Sequence, residues 1–441
     1  MRSVATQLLP AALAGLVVLA SLRCMPALDR TSPCGDTGPR PDRTRLDAPA
    51  DAPGGDLPPD RGSDQKLCSS ATECDDGVDC TDDTCSAGAC SNKIKAGYCL
   101  IGGVCFAAST ANSDNTCQSC DPTQSASDWT STPQCVATLA GTGNAGFKDG
   151  PASAAQFNDP TDVAVDSVGQ VHIADYDNHR IRVLASGQVT TFAGSAQGWA
   201  DGPALQAKFY KPMGVWLGPS GVYVADQYND AVRLVSGGMV TTFNTGFELY
   251  GPAGGDTGAS GEIYVSDTIQ HRIAMIPFGG GALTNVAGVK GQFGHVDGAA
   301  AAARFEFPLG LALDAQGTVF VADTNNHCIR AIKSGQVSTF AGVPKKDGHA
   351  DGAAATATFR YPRGVAVDAQ GTVYVGDTEN NLVRMIKGGQ VSTLAGTGQE
   401  GLKDGAAASA EFDWPCGVDV DAKGNVYVAD TENHAIRLIT K

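Results

Sequence analysis

At 441 residues the chain exceeds what one compact core sustains, so two or more domains joined by linkers are expected. A formal net charge of −16 is ill suited to neutralising a phosphate backbone; it sets nucleic acid aside as a partner and disfavours docking on anionic lipid. Of 14 cysteines, ten lie between Cys68 and Cys135 and only Cys328 and Cys416 follow, which predicts a disulfide-stapled module ahead of a domain with an ordinary core.

Residues 1–23 carry Arg2 and then the apolar run LLPAALAGLVVLASL, about 15 residues long and too short to cross a bilayer comfortably. This reads as a signal peptide. Cys24, just past the run, resembles the modified cysteine of bacterial lipoproteins, although Arg23 and Ser21 depart from that pattern; the other reading is simple secretion, with Val18 and Ala20 at the cleavage site. The expected location is therefore secreted or cell envelope, with the membrane touched only through a lipid anchor on Cys24. Residues 24–67 are rich in Pro, Gly and Asp and nearly free of large apolar side chains, so they cannot offset ordering entropy and are expected to form a disordered tether.

In residues 68–135 the cysteines are Cys68, Cys74, Cys80, Cys85, Cys90, Cys99, Cys105, Cys117, Cys120 and Cys135. Their even count behind an export signal predicts five disulfides at ~2–4 kcal/mol each, of unreadable connectivity. Cys117 and Cys120 form a CxxC pair, read as a disulfide because no second CxxC completes a zinc site. Asp75, Asp76, Asp79, Asp82 and Asp83 miss the spacing of a calcium loop and read as an acidic turn. The segment CDDGVDCTDDTC resembles the CTDC-type repeats of secreted proteins, and CLIGGVC with CQSCDP is similar to modules of large surface proteins of soil bacteria.

Residues 136–441 repeat. QVHIADYDNHRIRVL, GVYVADQYNDAVRLV, EIYVSDTIQHRIAMI, TVFVADTNNHCIRAI, TVYVGDTENNLVRMI and NVYVADTENHAIRLI place Asp175, Asp226, Asp267, Asp323, Asp377 and Asp430 at steps of 41 to 56 residues. Each copy holds four short strands, the number that makes one propeller blade. Asp166, Asp314, Asp368 and Asp421 open the first turn, and Gly169, Gly317, Gly371 and Gly424 close it. These segments resemble NHL repeats of bacterial cell-envelope proteins, and the resemblance implies an all-β fold, a six-bladed β-propeller with four-stranded blades. The last copy stops at AIRLITK without its outermost strand, whereas VATLAGTG at Val136 to Gly143 closely repeats VSTLAGTG at Val391 to Gly398, so the N-terminal strand is expected to close the last blade.

Long connections between outer and next inner strands are expected to overhang the central channel, where propellers usually bind; the third copy lacks one. Phe157, Phe209, Phe305, Phe359 and Phe412 recur at a fixed loop position and are read as packing. Just after the loop proline the copies differ, showing Thr161, Met213, Leu309, Arg363 and Cys416. Arg363, with Asp162, Trp414 and Asp419, is the candidate ligand contact. Peptidyl-hydroxyglycine lyases and metal-dependent lactonases share the propeller, and resemblance to them would imply a channel metal. The inner strands supply no histidine: His179, His271, His327 and His434 belong to the repeated turn, His172 to a strand, His295 and His349 to loops. No catalytic residue and no metal site is assigned, although the inner-strand aspartates leave room for a calcium ion in the channel. Cys416 and Cys328 are read as buried thiols. The function favoured is an exported, surface-tethered binding or scaffold protein, rather than an enzyme, that recognises a protein, peptide or glycan; the alternative is a metal-dependent lyase or lactonase.

Overall fold

A computed structural model describes residues 81–86, 89–96, 98–101, 104–107, 118–119, 130–131, 134–244 and 248–440. The expected signal segment, Cys24, the tether and much of the 68–135 stretch lie outside these. Within that stretch Thr81–Ser86 pairs antiparallel with Ala89–Ile94, setting Cys85 opposite Cys90, and Tyr98–Ile101 pairs with Val104–Ala107.

From Cys135 onward, short strands broken by Gly-bearing turns form six antiparallel sheets. In the first, the strands run outward from the axis as Pro160–Val165, Val171–Asp175, Arg180–Ala185 and Gln188–Ala193. The turn between the first two is held as composition predicts: Asp166 Oδ1 accepts the N–H groups of Val168 (2.9 Å) and Gln170 (2.8 Å), and Gly169 sits at φ 86°. The other inner strands are Pro212–Gly218, Pro252–Thr257, Pro308–Leu313, Pro362–Val367 and Pro415–Val420.

Each sheet is apolar on both faces, so stability requires neighbours on both sides. The buried apolar residues fall into six clusters, one between each pair of adjacent blades. An open array of six would bury only five such interfaces; the sixth, joining Tyr427 and Ile436 of the last blade to Val163 and Ile173 of the first, closes the ring. Closure is made where the sequence places it. Cys135–Ala140 pairs antiparallel with Ala435–Ile439, Val136 opposite Ile439 and Thr138 opposite Arg437, so one sheet joins both ends of the propeller segment.

A buried ion pair fixes each blade. Arg182 is fully buried, with Nη1 2.7 Å from Asp175 Oδ2, and Asp175 also accepts the backbone N–H of Asn158 at 2.8 Å. Burial pushes the Asp175 carboxyl up to about 6 against the pull of Arg182, which leaves it ionised at neutral pH. Phe157 lies beneath the guanidinium, 5.3 Å from its ring centre, and Arg233, Arg330, Arg384 and Arg437 repeat the arrangement over Phe209, Phe305, Phe359 and Phe412. The recurrent phenylalanines are core.

The same arginines bind part of each long loop to the outer edge of its blade. The loop aspartate Asp149 bonds Arg182 and also caps Thr191 of the outer strand, which draws Gly150–Pro151 into a short fifth strand on the outer edge. The loops of the second, fourth, fifth and sixth blades do likewise. Each loop thus touches the outer edge of its blade before returning to the inner strand, because its charge must reach a buried guanidinium. The third blade, lacking the loop, has Ala274 at the arginine position; Arg272 reaches Asp267 through Nε at 2.7 Å from two residues earlier.

Candidate functional site

Each inner strand starts with a β-bulge. In the fifth blade Pro362 pairs with Asp377 and Val365 with Val375, so Arg363 and Gly364 stand opposite Gly376 alone; the other blades show the same shift. The bulge frees these residues from the ladder and turns them to the axis. There the strands converge backbone to backbone. A Cβ on Gly364 would meet the Cys416 carbonyl oxygen at 2.2 Å, and one on Gly310 the Arg363 carbonyl at 2.3 Å. Gly214, Gly254 and Gly417 complete a ring of five glycines, with Asp162 in the sixth place. This ring was not read from the sequence, although the glycine after five of the six variable residues was its visible signal.

The residues preceding the loop prolines, Asp159, Lys211, Phe307, Tyr361 and Trp414, all have a positive φ of 47–56°, with Gly251 in the third blade at 61°. Each donates its N–H to the preceding blade's turn: Phe307 to His271 Nδ1 at 3.2 Å, Tyr361 to His327 Nδ1 at 3.2 Å, Trp414 to Asn381 Oδ1 at 3.0 Å. Asp159 and Lys211 use His434 and His179, and Gly251 uses Asp230 Oδ1. The repeated histidines are thus interblade clasps whose proton sits on Nε2.

The inner strands enclose a cavity of about 210 Å³ lined by Thr161, Met213, Ala253, Leu309, Arg363 and Cys416 at the bulges, with Asp162, Asp256 and Asp419 in the wall. The variable bulge residues therefore do share one site. Arg363 is 3 % exposed, its Nε and Nη2 lack any hydrogen-bond partner, and its guanidinium lies 5.3 Å from the Trp414 ring. Burial brings it down to about 10, opposed by Glu379, Tyr176 and Glu432, so it remains a cation at neutral pH.

The candidate aspartates are placed differently from Arg363. Asp162 Oδ2 accepts Val215 N–H at 2.9 Å, and Asp419 accepts Val165 N–H at 2.7 Å and Val420 N–H at 2.8 Å, bracing one blade against the next. Asp256, which the sequence reading passed over, does the same for Leu313 at 2.7 Å. Burial pushes Asp162 up to about 8, Asp419 to about 7 and Asp256 to about 6. Among the described residues no three His, Cys, Asp or Glu side chains gather as metal ligands. Cys328 is a free buried thiol, as expected, whereas Cys416 is disulfide-bonded and not a thiol. With Cys328 free, bridges confined to the ten cysteines of 68–135 do not account for every disulfide; spacing could not reveal a bond made through space.

The repeat architecture matches a known one. The model for the NHL repeat fits residues 157–184, 305–332, 359–384 and 412–437. Four of the six blades match the NHL repeat. NHL repeat-containing protein 2 of Gallus gallus is 28% identical over 335 residues, covering 64% of this chain and 46% of that protein. Protein SUPPRESSOR OF QUENCHING 1, chloroplastic, of Arabidopsis thaliana is 28% identical over 276 residues, 55% of this chain and 26% of that one. The chain thus spans less than half the length of these curated relatives. Among solved structures, an auxiliary nutrient binding protein from Bacteroides thetaiotaomicron superposes with a TM-score of 0.57 at 16% identity, covering 81% of this chain and 88% of that one, which establishes likeness of fold.

Proposed function

We propose that this chain is an exported binding protein, non-enzymatic, whose NHL propeller receives its ligand at the channel mouth. One observation carries the reading. The clasps, ion pairs, turns and interblade cores recur from blade to blade, yet the six bulge residues facing the cavity differ. The residues before the loop prolines also differ from blade to blade, but they are tied into the interblade clasps through their backbones; the bulge residues line the cavity, where recognition of an asymmetric ligand gives a reason to diverge. Export rests on the N-terminal apolar run, and tethering on Cys24. Propellers of this fold that are named nutrient-binding proteins are in keeping with the reading.

A thermal-shift screen of neutral, anionic, cationic and sugar compounds on the full chain tests it. Compounds that stabilise the wild type and lose their effect in Met213→Trp, which fills the cavity, are the expected result. A stoichiometric metal by elemental analysis together with lyase or lactonase turnover would overturn it.

A further inference from the structure

We infer that the outer edge of the third blade, the free side of Thr284–Ala287, docks an extended segment of a partner protein by strand addition, a segment uncharged where it pairs and basic beyond. The site lies on the rim, away from the channel, and stands independently of the ligand reading above.

An outer strand carries N–H and C=O groups on its far side with no further strand to meet them, and folded proteins cover, charge or break such edges. This propeller covers five. Thr138, Thr191, Thr242, Thr339 and Thr393 turn their N–H groups outward, and an aspartate of the long loop accepts each at 2.9–3.1 Å. The loop then lays its short fifth strand along the same edge, whereas the third sheet has four strands. Its pairing keeps the common register: Ala274 opposes Asn285 as Arg182 opposes Thr191, so the Asn285 N–H and C=O also point outward. Among the described residues no loop or side chain accepts that N–H, and the Asn285 side chain is engaged elsewhere, its Nδ2 donating to the Gly288 carbonyl at 2.9 Å. The connection from the second blade meets this hairpin at Gly281, through Asn244, and the inner strand then starts at Pro252.

The bare edge is also unguarded. From Phe278 to Val289 there is neither a charged side chain nor a proline. Thr284 and Asn285 are exposed, Phe278 at the hairpin is 60 % exposed, and Leu283 and Val286 are half-buried against the cores on either side of the sheet. A strand paired here takes its bonds from the backbone and extends, with alternate side chains, the apolar faces that Leu283 and Val286 begin.

Size and charge identify the occupant. A second copy using the same edge offers a strand of about 14 Å, far short of the ~1,200 Å² a stable interface buries, and brings together two chains of net charge −16. Residues 24–67 of this chain, rich in Pro and Asp, lack the N–H groups and the propensity of a strand. A partner segment uncharged over about four residues meets the edge without burying a charge, and flanking lysines or arginines are drawn by the net −16.

The test uses the full chain and, as probe, a cyclic β-hairpin whose one pairing-competent strand reads KTVTVTK, held extended in advance so that little ordering is lost on pairing. Amide hydrogen exchange over residues 282–288 is the readout. The hairpin is expected to slow exchange there and not on the other blades, and a twin methylated at the outward N–H groups of that strand is expected to have no effect. Asn285→Pro, which removes an N–H outside the ladder, and Thr284→Lys, which charges the edge, should each weaken binding at least about fivefold. If Asn285→Pro melts below the wild type, Thr284→Lys decides. Protection outside 282–288, none at millimolar hairpin, equal binding by the methylated twin, or wild-type binding by Thr284→Lys would overturn the inference. So would a dimer in sedimentation that Thr284→Lys abolishes, because the edge would then belong to a second copy. None of these outcomes touches the channel, which the screen with Met213→Trp tests separately.

Discussion

Arg363→Met separates a residue kept for binding from one kept for folding. The arginine is 3 % exposed with two unmade hydrogen bonds, each buried unsatisfied donor costing about 1–3 kcal/mol. Its fall from 12.5 to about 10 on burial corresponds to about 3 kcal/mol of disfavoured charge. Against this, losing the contact with Trp414 forfeits roughly 0.5–2 kcal/mol, and methionine refills most of the aliphatic volume. The unmade bonds and the disfavoured charge are one desolvation cost of about 3 kcal/mol and are not added, so the variant is expected to be about 1–2 kcal/mol more stable than the wild type without ligand, raising Tm by roughly 2–4 °C in a domain of this size. Differential scanning calorimetry of both proteins without ligand measures it. A drop in Tm of several degrees would refute the reasoning, because it would mean that the guanidinium holds the channel wall together.

Gly364→Ala places a Cβ 2.2 Å from the Cys416 carbonyl oxygen and should cost about 1–3 kcal/mol in denaturant titration, whereas Gly371→Asn, at φ 78° with open space around it, should change stability by less than about 1 kcal/mol. Arg330→Met strands the buried carboxylate of Asp323 and is expected to cost about 3–5 kcal/mol, read as a lower denaturation midpoint. The histidine clasps predict acid sensitivity. Burial holds His179, His271 and His327 below the ordinary 6.5, so the unfolded chain takes up protons first; their contribution is complete above pH 6.5 and is lost as pH falls from there through the lower folded values. His271→Asn, copying the Asn381 clasp, should keep the bond to Phe307 and flatten the stability slope between pH 7 and 5; an unchanged slope would count against the clasp.

The sequence by itself determined the blades. Asp166 and Gly169 close a turn through bonds within five residues, and the alternation in TVYVGD marks a strand, so local chemistry is enough to count six copies and to see that VATLAGTG completes the last. It also singled out Arg363 and its counterparts, because divergence between copies at a fixed repeat position is visible in one dimension. What only the tertiary structure decided depends on groups far apart in the chain. Part of each long loop joins the outer edge of its blade because a residue such as Asp149 finds Arg182, 33 residues on. Asp162 and Asp419 become braces because backbone N–H groups of the next blade meet them, 53 and 254 residues away, and Cys416 enters a disulfide whose partner no spacing could name. The unmade bonds of Arg363 are of the same kind: a side chain's partners are set by what the closed ring brings to it, and a sequence records only which atoms are available to be brought.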